Sequence, residues 1–322
     1  MHRIIYSLLL SLALTLPALA DPSFWSREWP RTDFSQRAEA VESWSEILSG
    51  GPGKDGIPAL TDPAFGPVAQ SDIPPQEPVI TVDIAGETPR AYPVRYLMWH
   101  EIANDRIGET PVAVTFCPLC NSGMVFDRRI DAGTLSFGVT GKLRRSDMVM
   151  YDRETESWWQ QALGEAIVGT LTGTTLTQLP SWMESLGQFR ARHPDGLLMQ
   201  EPEARRDYGQ NPYLSYDSRS APFFYAGDPP PHGIPPLARV LRVGDQAWPL
   251  TRLAQAGEVS EQGLTIRWQA GQASALDTAI LAQGRDVGSV TVEDATGAPV
   301  PHDVIFAFVF HAFWPEGRWH ID

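Results

Sequence analysis

Cysteine and lysine are nearly missing from this chain. Its 322 residues hold two cysteines, Cys117 and Cys120, and two lysines, Lys54 and Lys142. A zinc site built from four cysteines is thereby excluded within one chain. The basic residues are almost all arginine, which reads as the coding bias of a GC-rich bacterial genome. Positive charge is scarce too, with 25 Lys and Arg against 39 Asp and Glu, a net charge of −14. So acidic a surface repels nucleic acid and anionic lipid, and no nucleic-acid partner is expected. Beyond the N-terminus no apolar run is long enough to span a bilayer, since the most apolar later stretch, Val304 to Phe310, has only strand length. What is plentiful is core material: 43% hydrophobic residues and 11 Trp exclude a disordered chain.

The first residues carry a basic residue, Arg3, then an apolar run from Ile4 to Leu16, then Pro17-Ala18-Leu19-Ala20. That is the layout of a cleavable secretory signal, with cleavage expected after Ala20. No Arg-Arg pair precedes the run and no Cys follows the cut, which favours the general secretion route over a lipoprotein. The expected mature protein is periplasmic or secreted, with no membrane span.

The expected fold class is α+β and predominantly β-rich, with two related β-hairpin modules and a helical N-terminal arm. The arm covers 21–76. Asp33 is placed to cap a helix over Phe34 to Leu48, followed by the Gly-rich loop around Lys54. That loop fails as a phosphate cradle, because no Ser or Thr follows the lysine and Pro58 is close. The β-rich body covers 77–226. In it Val79 to Ile84 reads as a strand, Tyr96 to Ile107 as a helix, and Val112 to Phe116 as a strand running into Cys117. Ser181 and Glu184 read as a capping box. A Pro-rich connection spans 227–236, and a C-terminal β-rich part spans 237–322, with Val304 to Phe310 as its apolar strand. A weak internal repeat relates Val82 to Gly86 and Ala91 to Val94 with Val240 to Gly244 and Ala247 to Leu250.

The chemistry gathers at Thr115-Phe116-Cys117-Pro118-Leu119-Cys120-Asn121-Ser122. Four readings fit a Cys-x-x-Cys turn. A local disulfide closes too small a loop to stabilise much by chain entropy. A thioredoxin-type redox site wants a helix after the first Cys, whereas Gly123 to Asp127 reads as a strand. A metal site needs further ligands, for which His100, His302 and His311 are candidates, with Met98, Met124, Met148 and Met150 for copper. A nucleophilic Cys117 needs a base, and His100 is nearest in sequence. The polar groups expected to contact a ligand are Asn104, Asp105, Arg144, Asp147, Asp152 and Lys54.

Several blocks together resemble a bacterial and archaeal family catalogued as domain of unknown function 3179. They are Gly50 to Ala59, Ala91-Tyr92-Pro93, His100-Glu101-Ile102 with Asn104-Asp105, Thr115 to Ser122, and Asp147 to Asp152. The resemblance covers about 45 to 315 and implies a shared site around His100, Cys117 and the Asp147–Asp152 segment, without implying a reaction. Some members of the family carry Thr in place of Cys120, which shifts the emphasis to Cys117. The leading expectation is an exported protein whose Cys117, with Cys120 and His100, binds a soft metal such as copper or zinc or acts in redox chemistry. The alternatives are a non-catalytic binding or scaffold module with a structural disulfide, and a Cys-dependent hydrolase or acyltransferase. A small molecule or a metal ion is the expected partner.

Overall fold

The structure, a computed structural model, describes residues 22–204 and 206–322. The expected signal, residues 1–20, lies outside them. Strand (36%) outweighs helix (16%), so the chain is β-rich, and five small sheets form a β-propeller-like ring. Among the described residues no helix is long and apolar enough to cross a membrane.

Two sheets position the chemistry. The first is an antiparallel meander of Ile102–Ile107, Thr110–Cys117 and Ser122–Asp127, with Leu60–Thr61 added in parallel at its edge. The strand Thr110–Cys117 is buried at every residue after Thr110. That accounts for its near-continuous apolar sequence: a strand covered on both faces has no solvent side on which to alternate. The second sheet orders Ile47–Ser49, Phe137–Arg144, Asp147–Asp152, Trp158–Gln160 and Glu165–Val168 as an antiparallel stack. Its long hairpin turns at Arg145 and Ser146, both with positive φ (51° and 69°). Such a pair matches the right-handed twist of the flanking strands but is costly without glycine. The register shifts between Val139 and Lys142. Gly141 sits there at φ 71°, where a Cβ would overlap the Pro52 carbonyl oxygen, so this glycine is required.

A third sheet pairs Pro78–Val82 with Arg90–Pro93 and with Ser181–Ser185. The hairpin leads into a helix, Val94–His100, entered from Pro93. In the C-terminal part Arg239–Val243 pairs with Gln246–Pro249, which leads into the helix Leu250–Ala256, entered from Pro249.

Several expectations are corrected. No helix covers 34–48: a 3-10 turn at Trp44–Glu46, boxed by Ser43 and Glu46, leads into the strand Ile47–Ser49. Asp33 caps only a local turn through Ser35, and the apolar side chains of the arm lie on the second sheet around Trp158. An edge strand gains hydrogen bonds there that a lone amphipathic helix cannot offer. The helix expected over 96–107 ends at His100, and Ile102–Ile107 is a strand. Ser181–Ser185 is a strand, and the working capping box is Ser185 with Gln188. Val304 to Phe310 divides into the strand Asp303–Phe306 and the helix Ala307–Phe313.

Candidate functional site

The Cys-Pro-Leu-Cys segment is the loop of a hairpin. Cys117 ends one strand and pairs with Ser122, which starts the next. The loop is closed by Cys120 N–H donating to the Cys117 carbonyl (3.1 Å) and Asn121 N–H to that of Pro118 (3.3 Å). Asn121 takes φ 52°, a conformation asparagine tolerates better than most residues. Both thiols are free and buried. They lie 3.0 Å apart, Cys117 donating to Cys120, well beyond the ~2.05 Å of a disulfide bond. Cys120 in turn donates to Asp147 Oδ1 at 3.2 Å.

Asp147 reaches this point because it opens the strand after the strained Arg145–Ser146 turn, and the sheet of Phe137–Arg144 packs on that of Ile102–Ile107. Its other oxygen, Oδ2, accepts from Gln160 Nε2 (2.6 Å) and from Ala162 N–H (2.9 Å). One carboxylate oxygen is therefore fixed by donors and the other is turned to the sulfurs. Sγ of Cys117, Sγ of Cys120 and a carboxylate oxygen of Asp147 all lie within 4.8 Å of one another. Burial raises every group here. Asp147 is pushed up to about 6 against the pull of its hydrogen bonds. The Cys117 thiol is raised, and that of Cys120 is raised well above its ordinary value. Glu101 is pushed up to about 8 by burial and by the Asp147 charge. The result is a buried cluster in which the two thiols and Glu101 hold their protons at neutral pH around an Asp147 that is mostly ionised.

Cys117 opens onto a cavity of about 300 Å³ whose wall includes Glu101, Met148, Tyr213, Phe223 and Phe224. Cys120 lies behind that wall. Two wider surface grooves, of about 630 and 830 Å³, contain no cysteine, so the smaller cavity is the one next to reactive chemistry.

Of the expected site residues, the structure brings together Cys117, Cys120 and Asp147. Arg144 stands one step behind: its Nη1 donates to Gln160 Oε1 (3.4 Å), and its Nε to Glu46 (3.0 Å). His100 is not with the thiols. One ring nitrogen meets the Pro58 carbonyl (2.7 Å) and the other the Tyr208 hydroxyl (2.6 Å). Asn104 clamps the two sheets, donating to the Phe137 carbonyl and accepting from its N–H, each at 2.8 Å. Asp105 accepts from Arg90 and from the Tyr92 hydroxyl. Asp152 accepts from Thr155 N–H (2.6 Å) and Trp159 Nε1 (2.9 Å), a turn-forming arrangement. Lys54 pairs with Glu156 (2.7 Å) and lies 4.5 Å from the Trp29 ring centre, tying the arm to the second sheet. His302 meets two backbone carbonyls.

The residues missed from sequence are Glu101, Gln160 and Tyr213. Glu101 had two signals: its place in the His100-Glu101-Ile102 block, and a charged residue between the end of an apolar helix and a buried strand. Gln160 and Tyr213 come close only through pairing across the sheets, which leaves no local mark.

A family model described as a protein of unknown function, DUF3179, matches residues 54–317. No curated protein and no solved structure matches the chain.

Proposed function

The chain belongs to the DUF3179 family, and we propose that its Cys117, Cys120 and Asp147 hold a divalent metal ion of zinc's borderline character. The observation that carries this is the cluster itself: two sulfurs and a carboxylate oxygen within 4.8 Å of one another, all buried. Burying several acids together is expensive, and their pKa values rise because the charged forms lack solvation. A cation at the centre of the three would take the place of the thiol protons and remove that cost. The donor set favours zinc over calcium or magnesium, which want oxygen alone, and over copper(I), which wants sulfur alone. The donors on Asp147 Oδ2 support the same reading, since ligating carboxylates are usually held by hydrogen bonds on their free oxygen. Three protein ligands leave a coordination position free, as at catalytic rather than structural zinc sites. Such an ion would supply Lewis acidity beside the cavity.

A second reading rests on the 3.0 Å between the sulfurs, which lets the pair close to a disulfide with little movement. Cys117, on the cavity, would then be the attacking thiol and Cys120 its partner. The raised thiol pKa values weigh against it, because the thiolate is the reacting form.

The same elements follow in the same order in two stretches, and we read these as related modules. Each has a hairpin, a short helix, a three-stranded meander, a strand returning to the hairpin, a second helix and a short parallel strand. The site then arose in the first, where 129–168 add the second sheet and Asp147. The N-terminal signal motif supports export, and protein recovered outside the cytoplasm is expected to begin at Asp21.

Cobalt(II) tests the metal reading. Added to reduced protein, one ion per chain is expected to give thiolate charge-transfer absorption in the near ultraviolet. The band should vanish in Cys117→Ser and in Cys120→Ser. A spectrum no different from cobalt in buffer would refute it.

A further inference from the structure

The cavity in front of Cys117 has a feature the metal reading does not use. Glu101 is 8% exposed, and it lines the cavity. Among the described residues its carboxyl has no hydrogen bond or ion pair. Buried carboxyls without partners are rare, because leaving one unpaired carries most of its desolvation cost. The nearest lysine does not relieve it: Lys142 also borders the cavity, but its ammonium is held 5.3 Å and 5.7 Å from the ring centres of Trp25 and Trp158.

The backbone at Glu101 is equally costly. The residue ends the helix Val94–His100 with φ 59°, a left-handed position that glycine fills most cheaply. In the C-terminal part, where a hairpin also feeds a seven-residue helix from a proline, the same position is Gly257 at φ 72°. A side chain is thus kept where the local fold would do better without one, and strain of that kind collects at functional sites.

Part of the same lining is aromatic. Tyr213, Phe223 and Phe224 line the cavity, and Phe224 is itself at φ 53°; the Phe223 ring already carries the Arg219 guanidinium 4.4 Å from its centre, which leaves Tyr213 and Phe224 to meet a cation. The Tyr213 hydroxyl has no hydrogen-bond partner among the described residues either. A carboxylate together with aromatic faces is the chemistry that recognises an ammonium ion, through the charge and the ring quadrupoles. A volume of about 300 Å³ suits a small molecule.

We propose that this cavity binds a small organic ammonium ion, held by the Glu101 carboxylate against the rings of Tyr213 and Phe224. The site does not require the metal centre, although the two share Cys117 as a wall. A divalent ion with two thiolates and one carboxylate would carry one net negative charge, which also favours a cation in front of it. The other titratable groups facing Glu101 are Cys117, Asp147 and Tyr213, all acids, and the cations at the cavity's walls are Lys142 and, over the Phe223 ring, Arg219.

The test compares choline with 3,3-dimethylbutan-1-ol, the same shape with carbon in place of the charged nitrogen, by titration calorimetry at about pH 8.5, where Glu101 is largely ionised. Wild type is expected to bind choline at least about tenfold more tightly than the alcohol. In Glu101→Gln the ratio should fall at least about threefold, the rings keeping the remainder. Equal affinity for the two in wild type, or a smaller fall than that in Glu101→Gln, overturns the proposal. Should Glu101→Gln fail to fold, Phe224→Ala decides: loss of one ring should weaken choline more than the alcohol, and equal weakening overturns the assignment. Loss of zinc or cobalt binding with choline binding retained would leave this site standing and remove only the metal centre.

Discussion

Replacing Glu101 with glutamine should make the protein more resistant to alkaline pH. The folded-state pKa of Glu101 is pushed from 4.5 up to about 8. The folded protein therefore holds a proton that the unfolded chain has released anywhere between those values. Stability from this group is complete below pH 4.5, falls as pH rises, and is fully lost above about 8. At about 1.4 kcal/mol per pH unit the interval sets an upper bound of about 5 kcal/mol. Asp147, pushed up to about 6, loses its contribution with the same sign over a lower window. It is common to both proteins and cancels in the comparison. Relaxation around the ionised carboxylate lowers the figure, and a relative gain of at least about 2 kcal/mol is expected for Glu101→Gln at high pH. Urea melts of wild type and variant, made metal-free, should nearly coincide near pH 5 and separate towards pH 9. Parallel curves across the range would refute a buried, unpartnered Glu101.

Other outcomes follow from the same geometry. Zinc at a hundred times its dissociation constant should stabilise reduced wild type by about 2.7 kcal/mol and leave Cys117→Ser unmoved, as read by thermal or urea denaturation. Gln160→Leu removes a donor from Asp147 Oδ2. It should weaken metal binding about 10- to 100-fold with little change in the circular dichroism spectrum. Gly141→Ala should cost about 1–3 kcal/mol or more of stability, since the residue sits at φ 71° with a Cβ overlapping the Pro52 carbonyl. A urea midpoint equal to wild type would refute the requirement for glycine there. His100→Asn should leave metal affinity within about twofold, because the ring is committed to Pro58 and Tyr208. A large loss would mean that His100 does reach the thiols.

What could be read from the sequence was local. The Cys turn stands out because two cysteines three apart follow a strand-forming run, and the strand and the loop are where that pattern places them. Asp147 is among the polar residues expected to contact a ligand, and the resemblance groups the Asp147–Asp152 segment with Cys117, but no spacing rule makes it a partner of residues 27 and 30 positions earlier. Its approach to Cys120 depends on packing between two sheets, which is a product of the whole fold. The segment 96–107 shows the opposite failure. Its first half is helical and its second half alternates weakly, so one helix was a fair reading until the pairing of Ile102–Ile107 with Thr110–Cys117 is known. Glu101 sits at that change of structure, where neither period applies, and its buried charge cannot be told from an exposed one by composition. The arm around 34–48 failed for a related reason: its apolar positions suit a helical face, but the exposed edge of Phe137–Arg144 offered backbone partners.

The most direct test of the metal centre is anomalous diffraction at the zinc edge, from crystals of reduced protein grown with zinc at stoichiometric concentration. The account expects one strong peak at bonding distance from Cys117 Sγ, Cys120 Sγ and one oxygen of Asp147, with Gln160 still donating to the other oxygen. A map with no peak there, or with continuous density joining the two sulfurs as a disulfide, would contradict it.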